Sequence, residues 1–300
     1  MLDRESTFAL PGTVKLLQRD FIPVALDQAY QRRQKDTEGE FYRKIASQGP
    51  RSNFQNTTQG FYVADAAGKL YFYNNNRDPK KVQRLIRESL QEFVDSPPGQ
   101  VAVLQAETRD KRWNVEPPEG GLVVRVRAKV LDGYEETTNQ WKKIFQTSVS
   151  RDNLWITKEE HEALVAGTFP TKLQQRIARF HLVDNTRGEP PMWGFTDIRE
   201  LKIELNKQGE IQGNVSLRTV KGEERGYEAK LKGKLEVADD RVAKLEIVCL
   251  GDFWGEGRYT GGAPKGKFPL AITFTLADGT DIADRVPPQG SRGWIDGYLR

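Results

Sequence analysis

The sequence contains a single cysteine, Cys249, among its 300 residues. One thiol excludes an intrachain disulfide, a Cys-x-x-Cys redox motif and a cysteine-based zinc site. Cys249 lies between Val248 and Leu250 with no basic neighbour, so we expect a small buried side chain rather than a nucleophile. Histidine is also scarce, with two residues. Few histidine and cysteine side chains are therefore available for a catalytic triad or a metal site. We predict no metal, no cofactor and no enzymatic activity in this chain.

Long apolar runs are missing as well. No stretch approaches the roughly 20 residues that cross a bilayer, and the first residues, MLDRESTF, lack the apolar segment of a signal peptide. We therefore predict no membrane-spanning segment and no export signal. Lys and Arg total 46 against 42 Asp and Glu. The two signs are interspersed rather than gathered into one stripe, which argues against nucleic-acid binding.

The clearest pattern in the first third is a hairpin followed by a helix. Phe61, Val63 and the run 70–73 flank the turn Asp65–Gly68, which predicts a β-hairpin. After Asp78-Pro79, an N-cap followed by a first-turn proline, apolar residues recur every three or four positions as far as Phe93. That spacing predicts an amphipathic helix.

Upstream of the hairpin, helices and a strand are expected to alternate. Residues 13–21 and 35–48 carry apolar residues at helical spacing, and the apolar run 21–26 between them, FIPVAL, predicts a short strand. This order of elements is typical of an α/β domain.

Residues 2–27 resemble the segment of thioredoxin-like proteins that follows their redox cysteines, and Asp65, Gly68 and Lys69 resemble the family's hairpin turn. The matching positions in the first segment are Leu2, Asp3, Arg4, Glu5, Ser6, Phe8, Phe21, Pro23, Val24 and Asp27. The resemblance implies that residues 1–95 are an incomplete thioredoxin-like α/β domain, with the first strand and the Cys-x-x-Cys motif absent. The family's cysteines would lie just before Met1. Gln59 occupies the place of the family's cis-proline, which puts substrate binding of the usual thioredoxin type in doubt.

Residues 96–121 are rich in proline and glycine and predict a linker, with one strand over Val101–Glu107. Residues 122–300 predict a β-rich domain with a small helical insertion. Alternating apolar and polar residues indicate strands over 122–131, over 141–149 and repeatedly from Ile198 onward. Antiparallel strands at this spacing favour a sandwich or a curved meander. Between them, the Thr157/Glu160 capping-box pattern and residues 171–180 predict two helices.

Part of the second half resembles an uncharacterised domain of large extracytoplasmic bacterial proteins that follows a thioredoxin-like segment. The resemblance lies in the sequences of residues 181–193, 250–261 and 284–290. The resemblance supplies architecture only. It implies a natural form that is periplasmic or secreted, although this chain carries no export signal.

The densest group of reactive side chains comprises His181, Asp184, Arg187 and Glu189. Imidazole, carboxylates and guanidinium so close in sequence suit a polar binding site. Two alternatives stay open: a helix-end cap with a plain turn, which the composition favours, and a metal site, for which convergent ligands are too few. His161 lies in a charged stretch, KEEHEA, and is expected on a solvated helix.

A second candidate follows a strong strand and combines aromatic residues, carboxylates and glycines. Its members are Asp252, Trp254, Glu256, Arg258 and Tyr259. An aromatic face beside carboxylates suits a sugar or a peptide. The alternative is a long connection whose aromatics seal one end of the β domain.

These patterns favour a non-catalytic protein that acts in binding or interaction, with a protein or a glycan as partner. One alternative is a thiol-disulfide oxidoreductase whose redox cysteines are encoded upstream of Met1. The other is a glycan or small-ligand site in the β domain, either purely binding or hydrolytic. A sheet that lacks its first strand exposes an edge, which invites homodimerisation.

Overall fold

The computed structural model describes residues 7–76, 78–98, 109–222 and 224–300, except for the side chain of Trp141. They form two compact units, Ser6–Val115 and Glu116–Arg300. The division falls inside the predicted linker 96–121, and the finer boundaries 1–95 and 122–300 stay a prediction. The strand expected over Val101–Glu107 lies outside the described residues.

The first unit contains a hairpin and several helices. They are α1 (Pro11–Asp20), α2 (Gln28–Gln31), α3 (Thr37–Ala46), the antiparallel strands β1 (Phe61–Ala64) and β2 (Leu70–Asn74), and α4 (Pro79–Asp95). The Asp78 side chain accepts hydrogen bonds from the N–H groups of Lys80 and Lys81, which fixes the start of α4. Leu16 of α1 packs against Val82 and Ile86 of α4. The predicted hairpin and amphipathic helix are therefore present.

The strand predicted over residues 21–26 is wrong. The segment has no regular secondary structure and no strand partner among the described residues, since β1 and β2 pair only with each other. Ile22 is 91% and Val24 72% exposed, and only Phe21 reaches the core. Pro23 has no N–H to give to a ladder. Apolar composition alone does not make a strand where no neighbour offers hydrogen bonds.

The second unit is built on one curled antiparallel sheet, which confirms the predicted β-rich class. Its strands are β3 (Leu122–Val130), β4 (Asp152–Ile156), β5 (Ile198–Leu205), β6 (Glu210–Arg218), β7 (Gly226–Ala238), β8 (Arg241–Trp254) and β9 (Lys267–Leu276). They lie in the order β4-β3-β9-β8-β7-β6-β5. Five consecutive strands thus form a meander, and β9 then pairs with β3.

The helical segments of this unit are α5 (Gln140–Thr147), α6 (Lys158–Val165), α7 (Thr171–Arg176) and α8 (Ile295–Leu299). The predicted capping box is present, because the Thr157 side chain accepts from the N–H of Glu160 and the Glu160 carboxylate from that of Thr157. A π-helical turn, Ile177–His181, continues α7, and short 3-10 turns occur at Phe195–Asp197, Ile282–Arg285 and Gln289–Ser291. Among the described residues, no helix is both long and apolar enough to cross a bilayer.

The strand predicted over 141–149 is wrong, because residues 141–147 belong to the helix α5. The Asn139 carbonyl accepts hydrogen bonds from the N–H groups of Lys142 and Lys143, which begins the helix. Ile144 and Phe145 are adjacent in sequence and both half-buried. A strand would send such neighbours to opposite faces, whereas a helix lets them share one side.

The sheet has one buried face and one open face. On β8 the buried residues are Val242, Leu245, Ile247, Cys249 and Phe253. Trp193, from the loop before β5, packs on this face with its ring 6.2 Å from that of Phe253. The other face, here called the open face, carries the alternate residues, as in an antiparallel sheet solvated on one side.

Candidate functional site

His181 joins three distant parts of the second unit. Its Nδ1 lies 3.2 Å from Asp152 Oδ2 on β4, and its Nε2 lies 2.6 Å from the Tyr298 hydroxyl on α8. The ring sits on the π-helical turn, a local widening that often occurs at functional positions. The capping role predicted for His181 is wrong, because its ring nitrogens meet side chains rather than helix-end carbonyls.

An Asp–His–Tyr array has the order of groups found in proton relays, but solvent does not reach this one. The side chain of His181 is 0% exposed, and Tyr298 is also buried. Burial raises the pKa of Tyr298 well above its ordinary value, so the phenol stays protonated. A neighbouring cavity beside Phe180 and Gln289 measures only about 10 Å³, room for one water. The array therefore ties β4, the π-helical turn and α8 together.

Asp184 and Arg187 form a second buried cluster. Asp184 Oδ2 lies 2.6 Å from Arg187 Nη2, and the Thr186 hydroxyl donates to Asp184 Oδ1 at 2.7 Å. Arg187 Nε donates to the Thr260 carbonyl and Nη1 to the Tyr134 hydroxyl. Burial raises the pKa of Tyr134 despite the nearby guanidinium. The two charged side chains already hold partners within the fold, so this cluster offers a ligand no free charge.

Glu189 lies apart from these two clusters. Its carboxylate is half exposed and lies 3.1 Å from Arg292 Nε. The Arg292 guanidinium also donates to the Pro190 carbonyl, so this pair links the 189–190 turn to the segment before α8. The structure thus distributes the first candidate set over two buried clusters and one surface ion pair.

The second candidate set does not converge either. Asp252 and Trp254 are alternate residues of β8, whereas Glu256 lies in the following loop and accepts from the N–H of Ala263. Arg258 lies over the exposed ring of Tyr259, 5.4 Å from its centroid. One side of the Trp254 ring packs over bare backbone at Gly226, where a Cβ would come within 2.0 Å. Lys267 Nζ lies 4.6 Å from the centroid of the same ring. The aromatic platform is therefore already occupied by the protein itself.

The two remaining sequence candidates, Gln59 and Cys249, differ in their exposure to solvent. Gln59 is exposed, and its carbonyl accepts from the Tyr73 hydroxyl at 2.8 Å. Cys249 is buried, and burial raises the pKa of its thiol to about 12. A thiol with that pKa carries almost no thiolate at neutral pH and is a poor nucleophile.

A cleft that the sequence did not indicate lies at one end of the second unit. Its volume is about 940 Å³, and its walls are the start of β3, the β7–β8 turn, the end of β9 and residues 279–285. Arg241 and Arg285 line it, both exposed and without an ion-pair partner among the described residues. The wall is assembled from segments far apart in the chain, so no local motif could have predicted it.

His161 lies on the helix α6, as predicted, but its ring is only partly exposed and forms hydrogen bonds in the wall of this cleft. Its Nδ1 lies 2.9 Å from the Gly120 carbonyl, and its Nε2 accepts from the N–H of Val242 at 3.2 Å. His161 thus connects α6 to the start of β8.

The described part of the chain contains no group of three or more His, Cys, Asp or Glu side chains placed to hold a metal ion. Comparisons with protein-family models, with curated proteins and with solved structures find no match to this chain. The functional proposal therefore depends on the contacts described above.

Proposed function

We propose that this chain is a non-catalytic protein that acts by binding. One observation carries the proposal: in the second unit, His181 is enclosed, with Nε2 hydrogen-bonded to the Tyr298 hydroxyl and Nδ1 3.2 Å from Asp152 Oδ2. A general acid or base must come within hydrogen-bond reach of a substrate. Asp184, Arg187 and Cys249 are equally buried, and the half-exposed Glu189 is paired with Arg292.

Turnover measurements test this proposal. We expect no hydrolysis of chromogenic ester, phosphate and glycoside substrates, and no insulin reduction beyond the dithiothreitol background. The variants His181→Gln and Cys249→Ala serve as matched controls. A rate in the wild-type chain that disappears in either variant, with its fold retained by circular dichroism, would contradict the proposal.

For the first unit we propose a thioredoxin-like scaffold without a dithiol. The β1–β2 hairpin and the packing of α4 support it, whereas the exposed, unpaired segment 21–26 does not supply the strand that the resemblance implies. The alternative, an oxidoreductase with cysteines encoded upstream of Met1, is decided by reading the gene upstream in frame. A Cys-x-x-Cys pair there would favour the redox function over simple binding.

The cleft at the β7–β8 turn favours a second candidate, the binding of a small anionic ligand in the second unit. A volume of about 940 Å³ is within the range of ligand sites, and the exposed Arg241 and Arg285 lie in its wall beside Asp239. The other two carboxylates of the lining, Asp281 and Asp284, are already paired with arginines of the fold. Sugars that carry acidic groups belong to this ligand class. We therefore propose the cleft, rather than the loop after Trp254, as the glycan site.

Binding of citrate and of inorganic phosphate, followed by amide chemical shifts, tests this second candidate. We expect shifts at residues 239–242 and 279–285 that saturate in the wild type and are lost in Arg241→Gln and in Arg285→Gln. Arg199→Gln, an exposed change on β5, is the matched control. Shifts that persist in both cleft variants would remove the cleft as the site.

A further inference from the structure

The open face of the sheet carries two parallel rows of side chains across β7, β8, β9 and β3. Cross-strand partners share a face, so the register places Lys232, Val248, Thr273 and Arg127 in one row. The adjacent row holds Lys230, Leu250, Ala271 and Lys129. We call these two rows the open-face patch. Within these four strands each row begins and ends with a cation and has small or apolar side chains between, and on β6 the amides Gln212 and Asn214 lie next to the two lysines.

The centre of the patch is apolar and exposed. Val248 is 48% and Leu250 49% exposed, and they are alternate residues on the same face of β8, about 7 Å apart along the strand. A single exposed aliphatic residue is ordinary on a protein surface, but a contiguous apolar patch rimmed by polar residues marks an interaction site. Ala271 and Thr273 extend the apolar centre onto β9.

The cations at the rims lack partners. Lys267, Lys234 and Lys244, elsewhere on these strands, pair with Glu228, Glu236 and Glu246. Within the described residues, no ion pair or hydrogen bond engages the side chains of Arg127, Lys129, Lys230 or Lys232, and neither row contains a carboxylate. The strands β7 and β3 are three strand spacings apart, so the two rims are separated by about 14 Å.

We propose that the open-face patch docks an acidic protein segment. Its apolar side chains would cover Val248 and Leu250, and its carboxylates would meet the four cations on both rims. Charge complementarity of this kind gives specificity and speeds association. Single-stranded nucleic acid fits less well, because neither row contains an aromatic side chain on which a base could stack. The proposal rests on the binding function above and names the partner's chemistry.

Fluorescence anisotropy with a labelled decapeptide of the repeat Glu-Glu-Leu-Leu, which places both residue types on one face when extended, tests the proposal. We expect saturable binding that weakens as salt is added, and none to the matched decapeptide of the repeat Lys-Lys-Leu-Leu. The double change Lys230→Glu with Lys232→Glu is expected to weaken binding at least about tenfold, since it reverses both charges on one rim. Lys207→Glu with Lys221→Glu, in surface loops away from the patch, changes the net charge equally and should leave the affinity unchanged.

The apolar centre needs its own variant. Leu250→Ser should weaken peptide binding several-fold while keeping every charge, whereas Val237→Ser, near the far end of β7, should not. Folding of each variant is checked by circular dichroism and thermal melting.

Equal weakening by the loop variants would overturn the proposal, as would absence of peptide binding. Tighter binding to a thymidine 20-mer or to phosphatidylserine vesicles than to the peptide would overturn the partner class. None of these outcomes tests whether the chain is catalytic, which the turnover assays decide separately.

Discussion

Cations in the interior of the second unit are paired with carboxylates, whereas those of the open-face patch are not. Inside, Arg176 donates to the Glu160 carboxylate at 2.6 Å and to the Tyr298 carbonyl at 2.9 Å, and Arg187 is paired with Asp184. On the open face, Lys230 and Lys232 face neighbours without a carboxylate. A buried charge must be paired, because water no longer solvates it, whereas an exposed one stays hydrated. Folding therefore dictates the interior pairs and leaves the four cations of the open-face patch available for a partner.

The largest effect is expected when an interior pair loses one member. Arg176→Ala leaves the Glu160 carboxylate, whose side chain is 8% exposed, without its cation. Breaking a buried pair in this way costs about 3–5 kcal/mol of the free energy of unfolding. Arg218→Ala removes the partner of Glu224 at the surface, where a cost of at most about 1 kcal/mol is expected. Urea denaturation followed by tryptophan fluorescence measures both, and equal losses would contradict the contrast.

A smaller loss is expected where a neutral partner is removed from the interior. Tyr298→Phe keeps the ring but takes the hydroxyl from His181 Nε2. A buried polar atom left without a partner costs about 1–3 kcal/mol. Tyr259→Phe, at a ring that is 64% exposed, should change the free energy of unfolding little. A Tyr298→Phe variant as stable as the wild type would mean that water reaches His181, and the argument for an enclosed array would fail.

The sequence predicted the elements that local patterns encode. The alternation from Ile198 onward gives β5 to β9 because one face of each strand is buried, and Thr157 with Glu160 marks the start of α6. The segments 21–26 and 141–149 were predicted wrongly, since the first is apolar, the second mixes apolar and polar residues, and only their neighbours in space decide their conformation. The same holds for the sites: Asp152, His181 and Tyr298 come from three separate stretches, and the open-face patch follows from strand order, which no local motif records.

Acid should weaken the second unit through carboxylates that hold hydrogen bonds in the fold. Arg151 donates to Asp281 Oδ2 at 2.6 Å and the N–H of Ala283 to Oδ1 at 2.9 Å. These contacts hold the pKa of Asp281 below its usual value of 3.8. Because the folded pKa is the lower one, the stabilisation is complete above pH 3.8 and is lost as the pH falls further.

Removing the Asp281 carboxylate should make this acid loss shallower. We therefore expect the free energy of unfolding of Asp281→Asn to fall less between about pH 4 and pH 2 than that of the wild type. Asp240→Asn, at an exposed turn residue, should keep the wild-type slope. Denaturant titrations at several pH values compare the three proteins. A shallower slope in the Asp240 variant would show that general charge repulsion, rather than the Arg151 contact, controls the acid response.

The smallest effect is expected on the open face, and it separates a folding role from a binding role. Lys230→Gln with Lys232→Gln removes two like charges that are alternate residues of β7, about 7 Å apart. Surface changes away from pairs stay within about 0.5 kcal/mol, and relief of repulsion favours a small gain in stability. A loss above about 1 kcal/mol would show that the lysines serve the fold. An unchanged free energy of unfolding, together with weaker peptide binding, assigns them to the partner, because then the only process that uses their charge is recognition.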